Sequence, residues 1–379
     1  MFSDVYVPQR NGVATALKLY KEKLEEMGHE VFVFVPRYSR ECRRKEKNVF
    51  EFPSIKYPLE KEQRIGLFLP DAFFKIKKLD LDIIHTHTPF SMGILAFWSS
   101  RFFDKPYVGT HHTMYEYYRH YLPIMIRPPL SLTKKLIRDW CRRLDKVIAP
   151  TYEIKKVLVS YGVPDDHIVV IPTGIDVDRF QEKPDWDLKE ELHLKDEKVL
   201  LYVGRLGKEK NVDFLIRVFK RVRKQVKSVL VIIGDGPERE RLEELTDALA
   251  LSNEVYFLGS LPREKVIEAY KTADVFVFAS YTETQGLVIL EAMAAGLPVV
   301  ALGKMGVRDL LLNSQGGVMI EELNELEFLE AIVKILESQE LRKTLSRQAI
   351  DFVRTHYSID STVQRMVELY EVMIKEFNA

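Results

Sequence analysis

The stretch that decides the fold is ASYTETQGLVILEAMAAGLPVVA, residues 279–301. The apolar run DVFVF just before it predicts a buried strand, and the polar loop that follows turns at Gly286. Residues 287–295 predict a helix that ends at Gly296, because glycine favours the left-handed conformation that closes helices and Pro298 cannot continue one. The final VVA begins another strand. This order predicts a βαβ unit whose loop lies at the carboxyl edge of a parallel sheet.

Two carboxylates mark this unit, Glu283 in the loop and Glu291 on the helix. The unpaired amides at the start of the helix, near residues 285–288, favour an anionic group such as a phosphate. A carboxylate beside a phosphate is repelled unless it accepts hydrogen bonds from hydroxyl groups. We therefore interpret the pattern as a site for a sugar nucleotide, against the alternative of one solvated loop glutamate and one ordinary helix glutamate.

Length and composition fit a two-domain globular protein. The 379 residues are 46% hydrophobic, and about 100–200 residues per domain is usual. The two cysteines, Cys42 and Cys141, are far apart and indicate neither a disulfide framework nor a thiolate metal site. No apolar run approaches the ~18 residues of a membrane span and no signal peptide is evident, which predicts a cytoplasmic protein.

The charge is distributed unevenly although the net charge is zero. Residues 1–177 hold 28 Lys and Arg against 21 Asp and Glu, and residues 178–379 hold 28 against 35. This asymmetry suggests that the first half faces an anionic partner. No basic groove motif with interleaved stacking aromatics is present, so we expect no nucleic-acid binding.

The domain boundaries follow from the order of the predicted elements. The chain starts with MFSD, which resembles the end of a first strand whose front is missing, as a late start codon would produce. The loop VYVPQRNGVA follows, with Gly12 at a strand-to-helix turn where backbone can approach a ligand. We predict one domain at residues 1–177 with a returning helix at 358–379, a second at 178–357, and a polar linker at 178–197.

Four histidines follow two predicted strands of the first domain. His85 and His87 end LDIIHTHT, and His111 and His112 follow KPYVGT. Side chains at strand ends point into the crevice of an open α/β sheet. The histidines lack a thiolate partner and a closed ligand spacing, and both D-x-D sequences lie in structural positions, so no metal site is expected.

The segment MYEYYRHYLPIMIRPPLSLTKKLIRDWCRRLDK is the most basic of the chain. Its residues Lys134, Lys135, Arg138 and Arg142 are predicted on one helical face, opposite an apolar face of Leu136, Ile137, Trp140, Cys141 and Leu144. A helix with a solvated basic face is one interpretation, and contact with an anionic membrane surface is the other. The aromatic residues Tyr115 and Tyr118 belong to the same candidate membrane or acceptor surface.

The second domain opens with a strand and the turn GRLGKEKN, residues 204–211. Arg205 and Lys210 bracket this turn, at a place where cations can bind a diphosphate. Two ordinary surface cations are the alternative.

The motifs together show a resemblance to a known family that covers nearly the whole chain. VPQRNGVA, HTHTP, GTHHTMYE, PTGID, GRLGKEKN, GDGPERERLEEL and TETQGLVILEAMAAGLPVV together resemble the family 4 retaining glycosyltransferases of the GT-B fold. The resemblance implies two Rossmann-like domains that face a central cleft, an activity that retains anomeric configuration, and no requirement for a metal or other cofactor.

The resemblance also implies residue roles. Gly12, Arg205 and Lys210 would approach the donor diphosphate, with the amides of Gln285, Gly286 and Leu287. Glu291 would hold the ribose and Glu283 the transferred sugar, while His112 would lie at the catalytic centre. Many relatives carry an aromatic residue where this chain has Gln285, so their sugar and acceptor are not transferred.

Within the family, HHTMYEYYRHYL and TETQGL look most like bacterial diacylglycerol glucosyltransferases. This narrower resemblance implies UDP-glucose as donor, diacylglycerol as acceptor and a peripheral location at the inner face of the cell membrane. The alternatives are a soluble sugar, a polysaccharide or phosphatidylinositol as acceptor with another donor, a sugar-nucleotide 2-epimerase or glycogen-type synthase, and a non-catalytic nucleotide-sugar-binding protein. A dehydrogenase is disfavoured because no G-x-G-x-x-G follows the first strand.

Overall fold

The computed structural model describes residues 1–9, 11–38, 46–56, 64–67, 71–117, 119 and 127–379. Within them the chain forms two compact units. Unit 1 holds Met1–Gly174 and Ile359–Ala379, and unit 2 holds Ile175–Ser358. Each unit combines parallel strands with helices, which confirms the predicted α/β class.

Unit 1 contains eight strands and six helices among its described residues. The strands are β1 (Val33–Pro36), β2 (Val49–Phe52), β3 (Ser54–Lys56), β4 (Arg64–Gly66), β5 (Ile84–Thr86), β6 (Tyr107–Thr110), β7 (Lys146–Ala149) and β8 (Ile168–Val170). The helices are α1 (Gly12–Glu26), α2 (Asp71–Lys77), α3 (Ser91–Phe103), α4 (Leu130–Cys141), α5 (Tyr152–Ser160) and the last helix of the chain, α15 (Ile359–Phe377).

The first residues of the chain lie in the middle of the sheet of unit 1. Phe2 bridges in parallel to Phe34 of β1 and to Thr86 of β5, and its amide donates to the His85 carbonyl at 2.8 Å. Residues 1–3 thereby join the β2-β1 pair to the sheet β5-β6-β7-β8. The strand order reverses at this point, as it does in doubly wound folds.

Unit 2 contains six strands and nine helices. The strands are β9 (Lys198–Val203), β10 (Ser228–Ile233), β11 (Val255–Gly259), β12 (Val275–Phe278), β13 (Val299–Leu302) and β14 (Gly317–Ile320). The helices are α6 (Val177–Gln181), α7 (Leu188–Glu191), α8 (Val212–Val222), α9 (Arg239–Ala248), α10 (Arg263–Thr272), α11 (Leu287–Ala294), α12 (Gly306–Asn313), α13 (Glu325–Glu337) and α14 (Gln339–His356).

The sheet of unit 2 is parallel throughout, in the order β11-β10-β9-β12-β13-β14. Four of its strands, β9, β10, β12 and β13, are buried almost completely. This explains their continuous Val, Ile, Leu and Phe runs, since helices cover both faces of such a sheet. The chain builds β10 and β11 on one side of β9 and then returns to its other side with β12, so the order reverses between β9 and β12.

The stretch that decides the fold has the structure its sequence predicts. Strand β12 leads through a loop to α11, and β13 follows. Gly286 and Gly296 adopt positive φ angles of 84° and 75°, at the start and just after the end of the helix. The amide of Leu297 donates to the Ala292 carbonyl at 2.9 Å and closes the last turn.

Residues 178–197, predicted as a linker, belong instead to the core of unit 2. They form most of α6 and all of α7, and Phe180 and Leu188 are buried among the residues of that core. The chain passes between the units at Gly174–Ile175 and Ser358–Ile359. Helix α6 buries only Val177 and Phe180, and α7 buries only Leu188, which is too weak a pattern for the sequence to reveal.

The last helix, α15, belongs to unit 1. Its residues Met366, Val367 and Tyr370 pack in the same core cluster as Leu17 of α1. In the part of the chain that the structure describes, no helix is both long and apolar enough to cross a bilayer.

Gly234, directly after β10, is a position where glycine is required. Its φ is 140°, and an added Cβ would lie 1.9 Å from the Gly204 carbonyl oxygen. We expect Gly234→Ala to lower the free energy of unfolding of unit 2 by at least ~2 kcal/mol, because strain and overlap add. Gly259→Ala is the matched control: φ is 65° and the nearest atom is a flexible arginine nitrogen at 3.2 Å, so about 1 kcal/mol is expected. Equal losses in denaturant unfolding would contradict the packing argument.

Candidate active site

An ion pair connects two loops at the carboxyl edge of the sheet of unit 2. Lys210, seven residues after β9, places its Nζ 2.5 Å from Oε1 of Glu283, five residues after β12. The lysine residue is only 8% exposed and the glutamate side chain 19%. Two residues that the sequence assigned separately to diphosphate and sugar therefore lie together, at the point where the strand order reverses. Ligands of open α/β sheets bind at such points.

Backbone contacts hold the two loops in register. The Tyr281 amide donates to the Glu209 carbonyl at 3.2 Å, and the Asn211 side-chain amide donates to the Ala279 carbonyl at 2.8 Å. The Gly306 amide, at the start of α12, donates to the Glu283 carbonyl at 3.0 Å. The backbone of Glu283 is thus fixed by α12, while its carboxylate is fixed by Lys210.

Gly306 allows this close approach. A Cβ on Gly306 would lie 2.1 Å from the Thr284 carbonyl oxygen and 2.7 Å from the Cα of Gln285. Gly306 is not predictable from a local sequence pattern, because the need for glycine comes from a neighbouring loop. The signal in the sequence is the GKMG turn after β13, at the same edge as the other site loops.

Arg205 and the start of α11 lie at the same edge. Arg205 is exposed and lies two residues after β9, and its carbonyl accepts a hydrogen bond from the Tyr202 hydroxyl at 3.1 Å. Gln285 is buried, Gly286 is the N-cap of α11 without a side-chain cap, and Leu287 is the first helical residue. A helix start without a side-chain cap presents amides that suit an anion.

Glu291 forms a set of contacts separate from the Lys210–Glu283 pair. Its carboxylate is buried and contacts Nη1 of Arg263 at 2.8 Å, and it accepts a hydrogen bond from the Tyr270 hydroxyl at 3.0 Å. Burial raises the pKa of Tyr270 well above its usual value, and the Glu291 charge adds to the shift. Arg263 and Tyr270 were not predicted as site residues. Their spacing of seven residues on α10 puts both on one face and is the signal that could have revealed them.

In unit 1, three of the four predicted histidines form a stack. The ring centroids of His85 and His87 are 4.0 Å apart, and those of His87 and His112 are 5.3 Å apart. Nδ1 of His87 and Nε2 of His112 share a hydrogen bond at 3.0 Å. His85 is held by Thr110 at 2.7 Å and Tyr370 at 2.5 Å. His112 is therefore oriented by a chain of contacts that reaches α15.

Burial keeps these imidazoles neutral. It lowers the pKa of His111 to about 4 and that of His112 to about 3, and it lowers the pKa values of His85 and His87 well below the ordinary one. A neutral ring can donate or accept a hydrogen bond but adds no charge. Within the described residues, no group of His, Cys, Asp or Glu is arranged to hold a metal ion.

Gly12 and a second, unpredicted residue, Asp4, follow residues 1–3, the N-terminal segment in the middle of the sheet of unit 1. Gly12 is the exposed first residue of α1, whose N-cap Asn11 accepts from the Ala14 amide at 2.9 Å. Asp4 is buried and accepts hydrogen bonds from the Thr88 and Ser91 hydroxyls and from the Met92 amide. It ties the end of the N-terminal segment, residues 1–3, to the start of α3. Its position at a strand end was the available signal.

The basic helix α4 differs from its predicted two faces. Ile137 and Cys141 are buried as expected, but Leu136 is 59% exposed and does not pack. Lys135 and Arg142 are exposed, whereas Lys134 lies over the Tyr161 ring and Arg138 pairs with Asp139. The helical pattern misplaced Leu136 because it lies at the border of the buried stripe. Tyr115 is half-buried and packs edge-on to Phe90 at 5.4 Å, while Tyr118 lies outside the described residues.

Two Rossmann-like units of this kind define the GT-B class of glycosyltransferase fold. The crystal structure of Anabaena HepE in complex with UDP and glucose has the same fold, with a TM-score of 0.78 and 18% identity over 98% of this chain and all of that one. The family models described as Glycosyltransferase Family 4 and Glycosyl transferases group 1 match residues 10–179 and 185–352.

Two relatives match along nearly their whole length. The alpha-monoglucosyldiacylglycerol synthase of Streptococcus pneumoniae is 34% identical over 98% of this chain and 84% of its own. The synthase of the same name from Acholeplasma laidlawii is 32% identical over 92% and 90%. The chain belongs to the family 4 glycosyltransferases of the GT-B fold, as its motifs predict.

The neutral histidines predict acid sensitivity of unit 1. Their folded pKa values lie below the usual ~6.5, so the unfolded chain binds more protons below that pH and stability is lost as pH falls. We expect about 2 kcal/mol of lost stability at pH 5 from His111, whose folded pKa is about 4. Denaturant unfolding followed by tryptophan fluorescence measures this loss in the Trp186→Phe protein. Its two remaining tryptophans, Trp98 and Trp140, lie in unit 1.

His111→Phe supplies the control for this titration. Neither ring nitrogen of His111 has a hydrogen-bond partner within the described residues, so the variant removes a titrating group with little other loss. Its stability should depend less steeply on pH. If the denaturant midpoint of the wild-type protein is the same at pH 7 and pH 5, the histidine rings are not held neutral by burial.

Proposed function

We propose that this glycosyltransferase moves glucose from UDP-glucose to a diacylglycerol-type lipid acceptor at the cytoplasmic membrane surface, with retention of configuration and without a metal or other cofactor. The observation that carries the proposal is the similarity to two alpha-monoglucosyldiacylglycerol synthases, 34% and 32% identical over nearly the whole chain. HepE, which shares the fold, has been solved in complex with UDP and glucose, in agreement with a nucleotide-sugar donor.

The cations of unit 2 suit the charge that the reaction develops. Breaking the bond between glucose and phosphate leaves negative charge on the departing UDP and partial positive charge on the sugar. Arg205, Lys210 and the uncapped start of α11 lie at one sheet edge and would stabilise the leaving diphosphate. Lys210 is almost completely buried, so its charge is little screened by water. We assign to these cations the role that a metal ion has in other transferases.

The carboxylates have separate roles in this proposal. Glu283 would accept hydrogen bonds from hydroxyl groups of the transferred glucose, since Lys210 holds it beside the diphosphate position. Glu291 would accept from the ribose hydroxyls, while the Tyr270 hydroxyl, which donates to it at 3.0 Å, would hold its carboxylate in place. We assign no carboxylate as nucleophile. The acceptor hydroxyl would attack from the leaving-group face, with a donor phosphate oxygen as the base.

Unit 1 carries the proposed acceptor functions. His112 would contribute a neutral hydrogen-bonding ring at the catalytic centre, since burial lowers its pKa to about 3, and Gly12 would let backbone approach the diphosphate. Helix α4 presents Lys135 and Arg142 to solvent together with Leu132 and Leu136. Exposed leucines beside cations suit the surface of an anionic membrane.

The function is tested by incubating the protein with UDP-glucose and diacylglycerol in anionic vesicles and identifying the product by mass. We expect a monoglucosyl lipid from the wild type. Arg205→Ala combined with Lys210→Ala should reduce turnover by at least ~10²-fold, because the leaving charge loses both cations. Lys208→Ala, an exposed cation of the same turn, is the matched control and should keep its rate.

Two results would contradict this proposal. Transfer from another nucleotide sugar but not from UDP-glucose would refute the donor assignment. A near-normal rate in the double variant would remove the role of the two cations.

The proposed binding of the ribose by Glu291 is tested with a variant of its ion-pair partner, Arg263, as the control. Glu291→Ala should weaken UDP-glucose binding by about 1.5–3 kcal/mol, because charged hydrogen bonds to hydroxyl groups are lost. Arg263→Ala also breaks the pair but keeps the carboxylate, so its affinity should stay within about threefold of the wild type. Calorimetric titration measures both. Equal losses would mean that Glu291 acts through the packing of α10 and α11 and not on the donor.

A further inference from the structure

Helix α3 of unit 1 presents large apolar side chains to solvent. Ile94, Trp98 and Phe102 follow one another at intervals of four residues, and Phe90 precedes the helix in the same series. Ile94 and Trp98 are close to half exposed, and Phe102 is 65% exposed. Intervals of four place them along one stripe of the helix. Trp98 and Phe102 stack on each other at 5.7 Å, so they form a continuous apolar surface.

An open groove of about 340 Å³ runs beside this stripe, between α3 and α4. Its lining is mostly aromatic and aliphatic and includes Ile94, Phe97, Trp98, Tyr107, Trp140 and one cation, Arg143. Ile94 and Trp98 therefore belong both to the exposed stripe and to the groove wall. A groove lined in this way favours a ligand that is an apolar chain.

The groove has positive charge at its rim. Arg101 and Arg143, both exposed, lie over the Phe97 ring at 5.7 Å and 5.5 Å. Nη2 of Arg101 also donates to the Arg143 carbonyl at 3.3 Å. Arginine guanidinium groups match the geometry of phosphate. Helix α3 itself carries no acidic residue, and Asp104 is its C-cap.

We propose that this groove binds an acyl chain of an anionic membrane lipid, with the α3 stripe embedded among the neighbouring chains and Arg101 and Arg143 at the phosphate. The inference rests on the proposed function, which requires a membrane surface but assigns no site for lipid chains. Tryptophan and arginine at an apolar edge suit the boundary between headgroups and chains.

Charge favours a lipid over a second copy of this chain as the occupant. In a symmetric dimer the same patch meets itself, so the cationic rim formed by Arg101 and Arg143 would be brought close to the same rim of the second copy. Like charges brought together in this way repel, whereas anionic headgroups would neutralise both.

The three tryptophans, Trp98, Trp140 and Trp186, provide the experiment. A full-length protein with Trp140→Phe and Trp186→Phe keeps only Trp98, at the groove. A second with Trp98→Phe and Trp140→Phe keeps only Trp186, in unit 2. Vesicles of phosphatidylglycerol with brominated acyl chains should quench the emission of Trp98 and shift it to the blue, and should leave Trp186 unchanged.

Titration with monomeric dihexanoyl phosphatidylglycerol distinguishes binding of the acyl chain from binding of the headgroup. This lipid should quench or shift Trp98 in a saturable one-to-one titration, whereas glycerol phosphate without chains should have no effect. If the protein sediments with the vesicles but the emission of Trp98 does not change, the proposal that the groove binds an acyl chain is overturned. A blue shift that depends on protein concentration without lipid overturns it in favour of a dimer.

A charged residue introduced into the α3 stripe tests whether the same surface binds to vesicles. Ile94→Asp should reduce partition into phosphatidylglycerol vesicles by about tenfold or more. Leu312→Asp, at an equally exposed leucine of unit 2 (56%), should not. Equal partition of both variants overturns the proposal.

The failure of this inference and that of the proposed function are distinguishable. Glucose transfer to detergent-dispersed diacylglycerol without Trp98 quenching refutes the groove alone. Quenching without transfer to any lipid acceptor refutes the proposed function alone.

Discussion

The buried ion pair between Lys210 and Glu283 is the constraint on which the site depends. It lies between β9 and β12, the two neighbouring strands where the chain changes its direction of growth across the sheet of unit 2. Helices on either side diverge there, which leaves a crevice at the carboxyl edge. A lysine that is 8% exposed needs a compensating charge. Glu283 supplies it and is itself oriented by the contact.

Close backbone approach makes this arrangement possible. Gly204 and Gly234 follow β9 and β10, and Gly259 is the last residue of the adjacent β11, each at a positive φ. Gly306 admits the loop that carries Glu283. Side chains at these positions would fill the edge of the sheet. The scaffold therefore keeps backbone amides and two cations near one crevice, which is an arrangement that favours an anionic ligand.

Local sequence determined much of the fold and less of the site. The helix predicted at 287–295 is α11, Leu287–Ala294, because glycine and proline mark its ends. The contact of Lys210 with Glu283 joins residues 73 apart in sequence, and no local pattern encodes it. The partners of Glu291 lie on another helix, so only tertiary packing reveals them. The exposed Leu136 and the helices within 178–197 were mispredicted because one apolar residue per turn does not settle which face is buried.

The most direct measurement is the position of the donor in a crystal of the protein soaked with UDP-glucose. Our account predicts the diphosphate within hydrogen-bonding distance, about 3 Å, of Lys210, with the glucose hydroxyls against Glu283. A nucleotide bound elsewhere, with the Lys210–Glu283 contact unchanged and no phosphate beside it, would contradict the account.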